Sequence, residues 1–268
     1  MSTFNVQMIS ENAVKLIRSL ALKKYRYKHN LFIAEGKKMV FDILRSGFTD
    51  VNRIFISKEL VEEYRSLLSK FEKNINICDS KEFSKISNLD SPPEIILIGD
   101  IPQRYEINKE SLAKGIHIYL DQIQDPGNLG TIFRTAEWFG VSSIGLSEGC
   151  ADYVMPKVIQ ASMGSFCRIP VWHGELPGFI QKDKVYAADL SGDSVYDIAL
   201  PANGLLVIGN EGQGLTDYVR KKVNNFIHIP SYSKNIESLN AANATAVILS
   251  EWRRQLTLGD RHSRQGLS

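Results

Sequence analysis

The sequence predicts an α/β protein, and three patterns support this prediction. Short apolar runs typical of buried strands alternate with amphipathic helical segments along most of the chain. After residue 115 these runs are almost continuously apolar, as in parallel sheets that helices cover on both faces. Residues 100–115 are polar and lack a long apolar period, which indicates a linker. We therefore expect a smaller α/β domain over residues 1–105 and a second domain, with a mostly parallel sheet, over residues 106–268.

The first domain should begin with a helix over residues 11–25. Apolar residues at helical spacing predict this helix, and Ser10 is a suitable N-cap. The other elements expected in this domain are strands over 31–34, 51–57, 75–78 and 94–99 and helices over 37–45, 58–70 and 81–87.

The second domain should alternate strands and helices more strongly. Its expected strands cover 116–120, 143–146, 166–171, 184–188, 205–209 and 226–229. Its expected helices cover 129–139, 154–163, 176–182, 215–222 and 239–256. Ligands of parallel sheets bind at the carboxyl ends of the strands. Asn128, Glu211 and residues 231–240 all follow strands, so we expect these segments to meet there.

The composition is that of an ordinary globular protein and excludes several classes. The chain has 268 residues, of which 43% are hydrophobic and 23% charged. No apolar run approaches the roughly 18–20 residues of a membrane helix, and the amino terminus lacks a signal-peptide pattern. Cys78, Cys150 and Cys167 are widely spaced, which predicts free thiols in a reducing cytosol. The histidines show no metal-ligand spacing, so we expect no metal site.

Basic residues are concentrated near the amino terminus. Residues 12–38 contain eight bases, Lys15, Arg18, Lys23, Lys24, Arg26, Lys28, Lys37 and Lys38, and one acid, Glu35. Aromatic residues lie among them, and this combination suits phosphate backbones and base stacking. The alternative is a solvated basic helix face. The candidate RNA-binding residues are Lys23, Lys24, Arg26 and Lys28.

Three stretches of the second domain carry candidate chemistry. In the first, Asp125-Pro126-Gly127 forms a turn, and Asn128 would cap the following helix. Arg134 then places a permanent cation in that helix. It is either a solvated surface residue or a residue that handles an anion at the strand ends.

The second stretch, LLVIGNEGQGL over residues 205–215, runs from a strand into a glycine-rich turn. Its spacing is GxxGxG rather than GxGxxG, and no Gly-Lys-Ser/Thr follows. Glu211 would place a carboxylate where a pyrophosphate should lie. The loop therefore suits a ligand that lacks phosphate and can carry positive charge, unless it is a simple strand-to-helix turn.

The third stretch covers residues 229–255. Ile229-Pro230 ends a strand, and Ser238 or Asn240 could cap the last helix. Several alanines give this helix a side that allows close packing, although an alanine-rich core helix would explain them equally.

Together the three stretches resemble the SPOUT superfamily, specifically the SpoU-type, TrmH-like RNA ribose 2′-O-methyltransferases. The first resembles the family's N-x-G-x-x-x-R motif, here Asn128, Gly130 and Arg134. The second resembles its G-x-E-G-x-G-hydrophobic motif, here Gly209, Glu211, Gly212, Gly214 and Leu215. The third resembles its I-P…S-L-N…A motif, here Ile229, Pro230, Ser238, Leu239, Asn240 and Ala244. The chain departs from the family at Ser231-Tyr232-Ser233, where Met-x-Gly often follows Ile-Pro. FIAEGKKMVFDIL, residues 32–44, is similar to the F-x-x-E-G pattern of a substrate-binding extension.

The resemblance implies a deep trefoil knot, which is an exception to the rule against knots. It implies a homodimer whose sites are completed across the interface. S-adenosylmethionine would be held largely by main chain near Gly209, Ile229 and Leu239. The methyl acceptor would be a ribose 2′-hydroxyl of structured RNA, with rRNA favoured over tRNA.

The resemblance also implies a catalytic set. The family's proposed base is the arginine of the first motif, here Arg134, but a guanidinium stays protonated. We therefore expect Arg134 to clamp a phosphate and to stabilise the developing alkoxide as a fixed cation. Glu211 would position Arg134 or a nearby amide. The residues expected to hold the ribose, the phosphate and the loops through hydrogen bonds are Asn128, Ser238 and Asn240.

Two alternatives stay open at this point. One is a non-catalytic RNA-binding or ribosome-associated protein that retains the fold. The other is an unrelated α/β enzyme that uses a nucleotide phosphate, which the missing phosphate-loop lysine and Glu211 oppose.

Overall fold

The computed structural model describes residues 9–103, 105–235 and 237–265, with side chains as far as residue 258. Two compact units are distinguished by their packing. One comprises Met1–Gln103 with Asp152–Arg168, and the other comprises Arg104–Ala151 with Ile169–Ser268. The division into residues 1–105 and 106–268 stays a prediction. The packing adds that segment 152–168 joins the first unit, although it lies among second-unit residues in sequence.

Ten α-helices and strands are described before residue 101. They are α1 (Glu11–Ser19), α2 (Lys23–His29), β1 (Leu31–Glu35), α3 (Lys37–Ser46), β2 (Val51–Ile56), α4 (Lys58–Glu63), α5 (Arg65–Leu68), β3 (Ile75–Ile77), α6 (Ser80–Ile86) and β4 (Ile95–Asp100). The strands form a sheet of order β1-β4-β2-β3, antiparallel except for the parallel pair of β2 and β3.

Eleven described elements follow. They are α7 (Lys109–Leu112), β5 (Ile116–Leu120), α8 (Pro126–Trp138), β6 (Ser143–Leu146), α9 (Pro156–Ser162), β7 (Val171–His173), β8 (Val185–Ser194), β9 (Gly204–Ile208), α10 (Asp217–Lys222), β10 (Asn225–His228) and α11 (Ala241–Gln265). Of these, α9 packs against β1 within the first unit.

The sheet of the second unit is parallel throughout, as the sequence predicts. Its order is β10-β8-β9-β5-β6-β7, and every neighbouring pair runs in the same direction. All residues of β5, β6 and β9 are buried, which explains why their sequences are almost continuously apolar. Leu120 at the end of β5 pairs with Ile208 at the end of β9. The loops that follow these two strands therefore begin side by side.

The helix predicted over residues 11–25 is wrong, because the chain forms two helices there. The first ends at Ser19, and Leu20 is fully buried. The carbonyl groups of Leu20 and Ala21 accept hydrogen bonds of 2.8 Å from Arg26 Nη1. These two acceptors are thereby satisfied outside a continuous helix. The helix predicted over 58–70 is likewise divided into α4, α5 and a 3₁₀ segment.

Two predicted elements of the second domain are also wrong. Residues 165–167 form a 3₁₀ turn instead of a strand, and Phe166 packs edge-on against Phe32 within the first unit. No helix covers 176–182 in the described chain, since Pro177 and Gly178 interrupt the segment and only a 3₁₀ turn follows at 182–184.

Among the described residues, no helix combines the length and apolar character that crossing a membrane requires. Nor do the described residues contain a group of three or more histidine, cysteine, aspartate or glutamate side chains arranged to hold a metal ion.

Candidate active site

An open pocket of about 430 Å³ lies around the carboxyl ends of β9 and β10. This volume is within the range of about 300–1,000 Å³ that is usual for small-molecule sites. Its apolar side is formed by Ile208, Ile227, Ile229, Leu239, Ala244 and Ile248. Its polar side includes Asp189, Glu211, Arg220, Glu237 and Ser238. The second and third motifs therefore border the same pocket.

The glycine turn after β9 has a structural explanation for two of its three glycines. Asn210 and Gly214 exchange main-chain hydrogen bonds of 3.0 and 2.9 Å. A Cβ on Gly209 would lie 2.6 Å from the main chain of Gly214, and Gly214 itself has φ +69°. Gly212 differs, because a Cβ there would meet nothing closer than Asn210 Oδ1 at 3.5 Å. The simple-turn alternative thus accounts for Gly209 and Gly214 and leaves Gly212 unexplained.

A hydrogen-bonded chain joins the three motifs. Asn128 Nδ2 donates to Glu211 Oε1 at 2.5 Å, and Asn240 Nδ2 donates to Asn128 Oδ1 at 2.7 Å. Asn240 Oδ1 accepts from the main-chain N–H groups of Ala242 and Asn243 at 3.0 and 3.2 Å. Asn240, rather than Ser238, therefore caps α11. Of the candidate catalytic residues, the structure brings Asn128, Glu211 and Asn240 together.

Asn128 is not the N-cap of α8, which corrects the sequence-based interpretation. The cap is Asp125, whose Oδ1 accepts from the Asn128 N–H at 2.7 Å. Pro126 then occupies the first turn, where its missing N–H costs nothing. The cap is three residues earlier than expected, so the Asn128 side chain is free to bind Glu211.

Two positioning residues, Asp121 and Asn210, were missed by the sequence-based prediction. The carboxylate of Asp121, which is 1% exposed, accepts the Thr216 N–H at 2.7 Å and so ties the start of α10 to the end of β5. Asn210 Nδ2 donates to the carbonyl of Gln122 at 2.9 Å, and Gln122 has φ +58°. An aspartate directly after a buried strand and an asparagine beside the glycines were the available signals.

Arg134 lies apart from this network. Its side chain is exposed, it does not line the pocket, and no described residue forms a hydrogen bond or ion pair with it. Six positions separate it from Asn128, which corresponds to about 120° around a helix. Arg134 therefore points away from Asn128 and shares an exposed face of the helix with Trp138, four residues later. Glu211 contacts the side-chain amide of Asn128, which is the second of the two roles expected for it.

The remaining candidates of the third motif border the pocket. Ile229 and Leu239 are on its apolar side, and Leu239 is 47% exposed. Ser238 also lines it, without a hydrogen bond to any described residue. In the loop that follows Ile229, Ser231 Oγ donates to the Ser233 carbonyl at 2.9 Å and so holds the turn at these residues.

Three of the four candidate RNA-binding residues are exposed on α2. Lys23 Nζ lies 5.8 Å from the ring centre of Tyr27, and Lys24 Nζ lies 5.9 Å from that of Tyr25, while Lys28 is also exposed. Arg26 is different, and its prediction as an RNA contact is corrected here. It is 1% exposed, and its Nη2 forms an ion pair of 2.5 Å with Asp152. Because this guanidinium is buried and donates to Asp152, Leu20 and Ala21, an RNA phosphate cannot reach it.

Comparison with known proteins agrees with this geometry. Residues 115–250 match the SpoU rRNA Methylase family, and residues 11–97 match the MRM3-like substrate binding domain. A 23S rRNA (guanosine(2553)-2′-O)-methyltransferase of Bacillus subtilis is 30% identical over 91% of this chain and 97% of its own length.

Solved structures are similar over almost the whole chain. A TrmH-family protein of Porphyromonas gingivalis is 33% identical and has a TM-score of 0.80, covering 93% of this chain and 100% of its own. The AdoMet-bound rRNA methyltransferase of Sinorhizobium meliloti is 30% identical, with a TM-score of 0.81 over 94% and 97% of the two chains.

Proposed function

The chain belongs to the SpoU rRNA methylase family, and we propose that it transfers a methyl group from S-adenosylmethionine to a ribose 2′-hydroxyl of structured RNA. One observation carries this proposal. The hydrogen-bonded chain Asn240–Asn128–Glu211 connects all three family motifs at the edge of one pocket. The printed function of the Bacillus subtilis relative favours rRNA over tRNA as the substrate. The cytoplasm is the location we propose, as for a protein with free thiols.

The residues of the pocket fit the cofactor. Isoleucines and Leu239 offer an apolar surface to an adenine ring, while Glu211 and Glu237 bring carboxylates to the same cavity. A pocket of this charge disfavours phosphate groups and favours a ligand with positive charge. When bound, S-adenosylmethionine supplies a methyl group activated by a positively charged sulfur. Close main-chain approach at Gly209 and Gly212 would hold it, together with Ile229 and Leu239.

The protein residues would then act by positioning. Asn128, Ser238 and Asn240 hold the ribose and the two loops so that the 2′-oxygen is in line with the methyl group, and such alignment lowers barriers by several kcal/mol. Arg134 clamps the adjacent phosphate. As a fixed cation it would also stabilise the negative charge that develops on the 2′-oxygen as the hydroxyl proton passes to solvent water. Arg134 is not the proton acceptor, because a guanidinium stays protonated.

We also propose a homodimer in which Arg134 acts at the partner's pocket. Two observations support it. Arg134 has no partner among the described residues and does not line the pocket of its own chain. Trp138, one turn further along α8, is 84% exposed and lies on the same exposed face of the helix as Arg134. A second copy of this chain on the Arg134–Trp138 face would bury the tryptophan and complete the site.

The trefoil knot remains part of the proposal. Its support is the family membership and the return of α11 to α8, where Arg253 donates to the carbonyl groups of Phe139 and Gly140 at 2.7 Å. RNA would bind the first unit through the exposed lysines of α2, Lys23, Lys24 and Lys28.

A labelled-methyl transfer assay on total RNA tests the proposed function. Wild-type protein should incorporate label into RNA, and Arg134→Ala should abolish incorporation while cofactor binding stays within a few-fold. Arg134→Lys should show little more methyl transfer than Arg134→Ala, because lysine keeps the charge but lacks the planar guanidinium that can bind a phosphate through two hydrogen bonds. RNA retention by wild-type protein without incorporation would contradict the proposal in favour of the RNA-binding alternative, and normal turnover by Arg134→Ala would contradict the role of Arg134.

A further inference from the structure

One arginine stands out in the wall of the pocket. Among the described residues that line it, Arg220 is the only lysine or arginine, whereas Asp189, Glu211 and Glu237 are carboxylates. Arg220 lies on α10 outside the three motifs. Its side chain is 41% exposed. A single permanent cation among several carboxylates, in a cavity that holds a small molecule, requires an explanation.

Asp189 fixes the position of this guanidinium. Arg220 Nη2 forms an ion pair with Asp189 Oδ2, and the Asp189 side chain is only 11% exposed. Asp189 Oδ1 accepts from the N–H and the hydroxyl of Ser191 at 3.0 and 2.6 Å. Burial alone would raise the pKa of Asp189, but the hydrogen bonds from Ser191 and Arg220 outweigh it and lower the pKa below its ordinary value. Asp189 is therefore an ionised anchor whose oxygens are largely occupied.

The guanidinium lies beside the glycine turn and keeps unused donors. Its Nη2 is 3.8 Å from the position that a Cβ on Gly214 would take. A guanidinium has five N–H donors, and Asp189 is the one acceptor that the described residues offer to this side chain. The donors of Nε and Nη1 thus stay available to a second carboxylate.

We infer that Arg220 binds the α-carboxylate of the methionine part of the cofactor, with Asp189 as its positioning residue. This inference rests on the proposed function. S-adenosylmethionine carries one carboxylate beside an ammonium and a sulfonium group. Without a cation, that carboxylate would face the three carboxylates of the wall. Arg220 would therefore raise the affinity for ligands that contain the methionine or homocysteine carboxylate.

Calorimetric binding with two ligands tests this role. S-adenosylhomocysteine keeps the carboxylate, whereas 5′-methylthioadenosine lacks the whole amino-acid part. Arg220→Ala should weaken S-adenosylhomocysteine binding about 10- to 100-fold, as expected for a lost hydrogen bond to a charged group. Binding of 5′-methylthioadenosine should change less than about twofold in the same variant. Asp189→Asn should give a smaller loss with the same selectivity, because the guanidinium is held less firmly.

Lys221→Ala is the matched control. It removes the same charge from the neighbouring exposed position of α10, outside the pocket, and should leave both affinities unchanged. Equal losses for the two ligands in Arg220→Ala would overturn the inference, since they would indicate a general change in the pocket wall. Unchanged binding of S-adenosylhomocysteine would overturn it too. If wild-type protein bound neither S-adenosylmethionine nor S-adenosylhomocysteine, the proposed function itself would fail.

Discussion

Asn128 and Glu211, 83 residues apart in the chain, are joined by a hydrogen bond of 2.5 Å from amide to carboxylate. The direction of this bond is fixed from the other side of the network. Asn240 Oδ1 is held by two main-chain donors of α11, so its Nδ2 must donate to Asn128 Oδ1. The Asn128 amide nitrogen then has to face Glu211. The start of α11 thereby sets the orientation of a side chain at the edge of the pocket.

Asn128→Asp tests whether this direction matters. At neutral pH the variant would place two carboxylates in contact, which should lower methyl transfer roughly tenfold or more. As the pH falls, one shared proton would let residue 128 again donate to Glu211 while accepting from Asn240. The ratio of variant to wild-type activity should therefore rise as the pH falls. A ratio independent of pH would count against the network.

The glycine turn allows a matched comparison of two alanine substitutions. Gly209→Ala should lower the free energy of unfolding by about 1–3 kcal/mol, because the new Cβ overlaps the main chain of Gly214. Gly212→Ala meets open space and should change stability by less than about 0.5 kcal/mol. Chemical denaturation of both variants without ligand checks this difference. Equal destabilisation would show that the turn is more tightly packed at Gly212 than the structure indicates.

The sequence was most informative where one local pattern decides the structure. The bounds of β5 and β6 match the prediction residue for residue, because both strands are mostly apolar and fully buried. The convergence of Asn128, Glu211 and residues 231–240 followed from parallel topology, since the ends of neighbouring parallel strands meet at one edge of the sheet. These predictions needed no knowledge of tertiary contacts.

Other features depend on partners that are distant in sequence. Arg26 reads as one more base in a basic run, yet its partner Asp152 lies 126 residues away. The same contact helps to place segment 152–168 in the first unit, which no local pattern indicates. The family motifs left open whether Glu211 would position Arg134 or a nearby amide, because they do not indicate the direction of the Arg134 side chain. Its actual direction depends on where α8 starts, and the cap at Asp125 sets that.

The buried ion pair of Arg26 and Asp152 should matter for stability. Loss of the Asp152 carboxylate would leave the buried guanidinium of Arg26 without its counter-charge. It would also remove the acceptor of the Tyr27 hydroxyl, which donates to Asp152 Oδ1 at 3.0 Å. Asp152→Ala should therefore lower the free energy of unfolding by about 3–5 kcal/mol. Lys28→Ala, at an exposed position of α2, should change stability little and instead reduce the salt dependence of RNA binding. Stability close to wild type in Asp152→Ala would contradict the role of this pair.

His117 should make stability fall in weak acid. It is 2% exposed, and its Nε2 donates to the Lys114 carbonyl at 2.9 Å while its Nδ1 accepts from the Ser143 hydroxyl at 2.8 Å. Burial lowers the pKa of His117 below the ordinary value of 6.5, although the hydrogen bond to the main-chain carbonyl of Lys114 raises it in part. The unfolded chain therefore binds the proton first. Stability should be complete above about pH 6.5 and decline as the pH falls further.

Denaturation at several pH values between about 7 and 5 measures this effect. His117→Gln should flatten the decline, whatever its effect on absolute stability. The pKa values of three carboxylates, Glu63, Asp189 and Glu251, are also lowered, but from ordinary values of 3.8 to 4.5. Their contributions to stability are lost below this pH interval, so the decline within it reports on His117. A wild-type slope in His117→Gln would refute the assignment.

The exposure of Trp138 predicts the effect of one substitution on oligomeric state. If the Arg134–Trp138 face joins two copies, Trp138→Glu should shift the protein from dimer to monomer, because a carboxylate would be buried at the interface. Tyr196→Glu, at another exposed aromatic residue, should leave the dimer intact. Sedimentation velocity distinguishes the two species. A monomeric wild-type protein, or a dimeric Trp138→Glu variant, would contradict the proposed interface.

Whether Arg134 acts at its own pocket or at that of a partner chain can be tested by combining two variants that should each be inactive alone. Arg134→Ala keeps an intact pocket, and Glu211→Ala keeps an intact arginine. Co-expressed with different affinity tags, they yield a heterodimer in which the intact pocket receives the partner's Arg134. One of its two sites would then be complete, so it should show about half the wild-type activity. If Arg134 instead served its own pocket, the heterodimer would stay inactive, as should the control heterodimer of Glu211→Ala with Asn240→Ala. Activity confined to the first pairing would require that each methyl-transfer site is built from two chains.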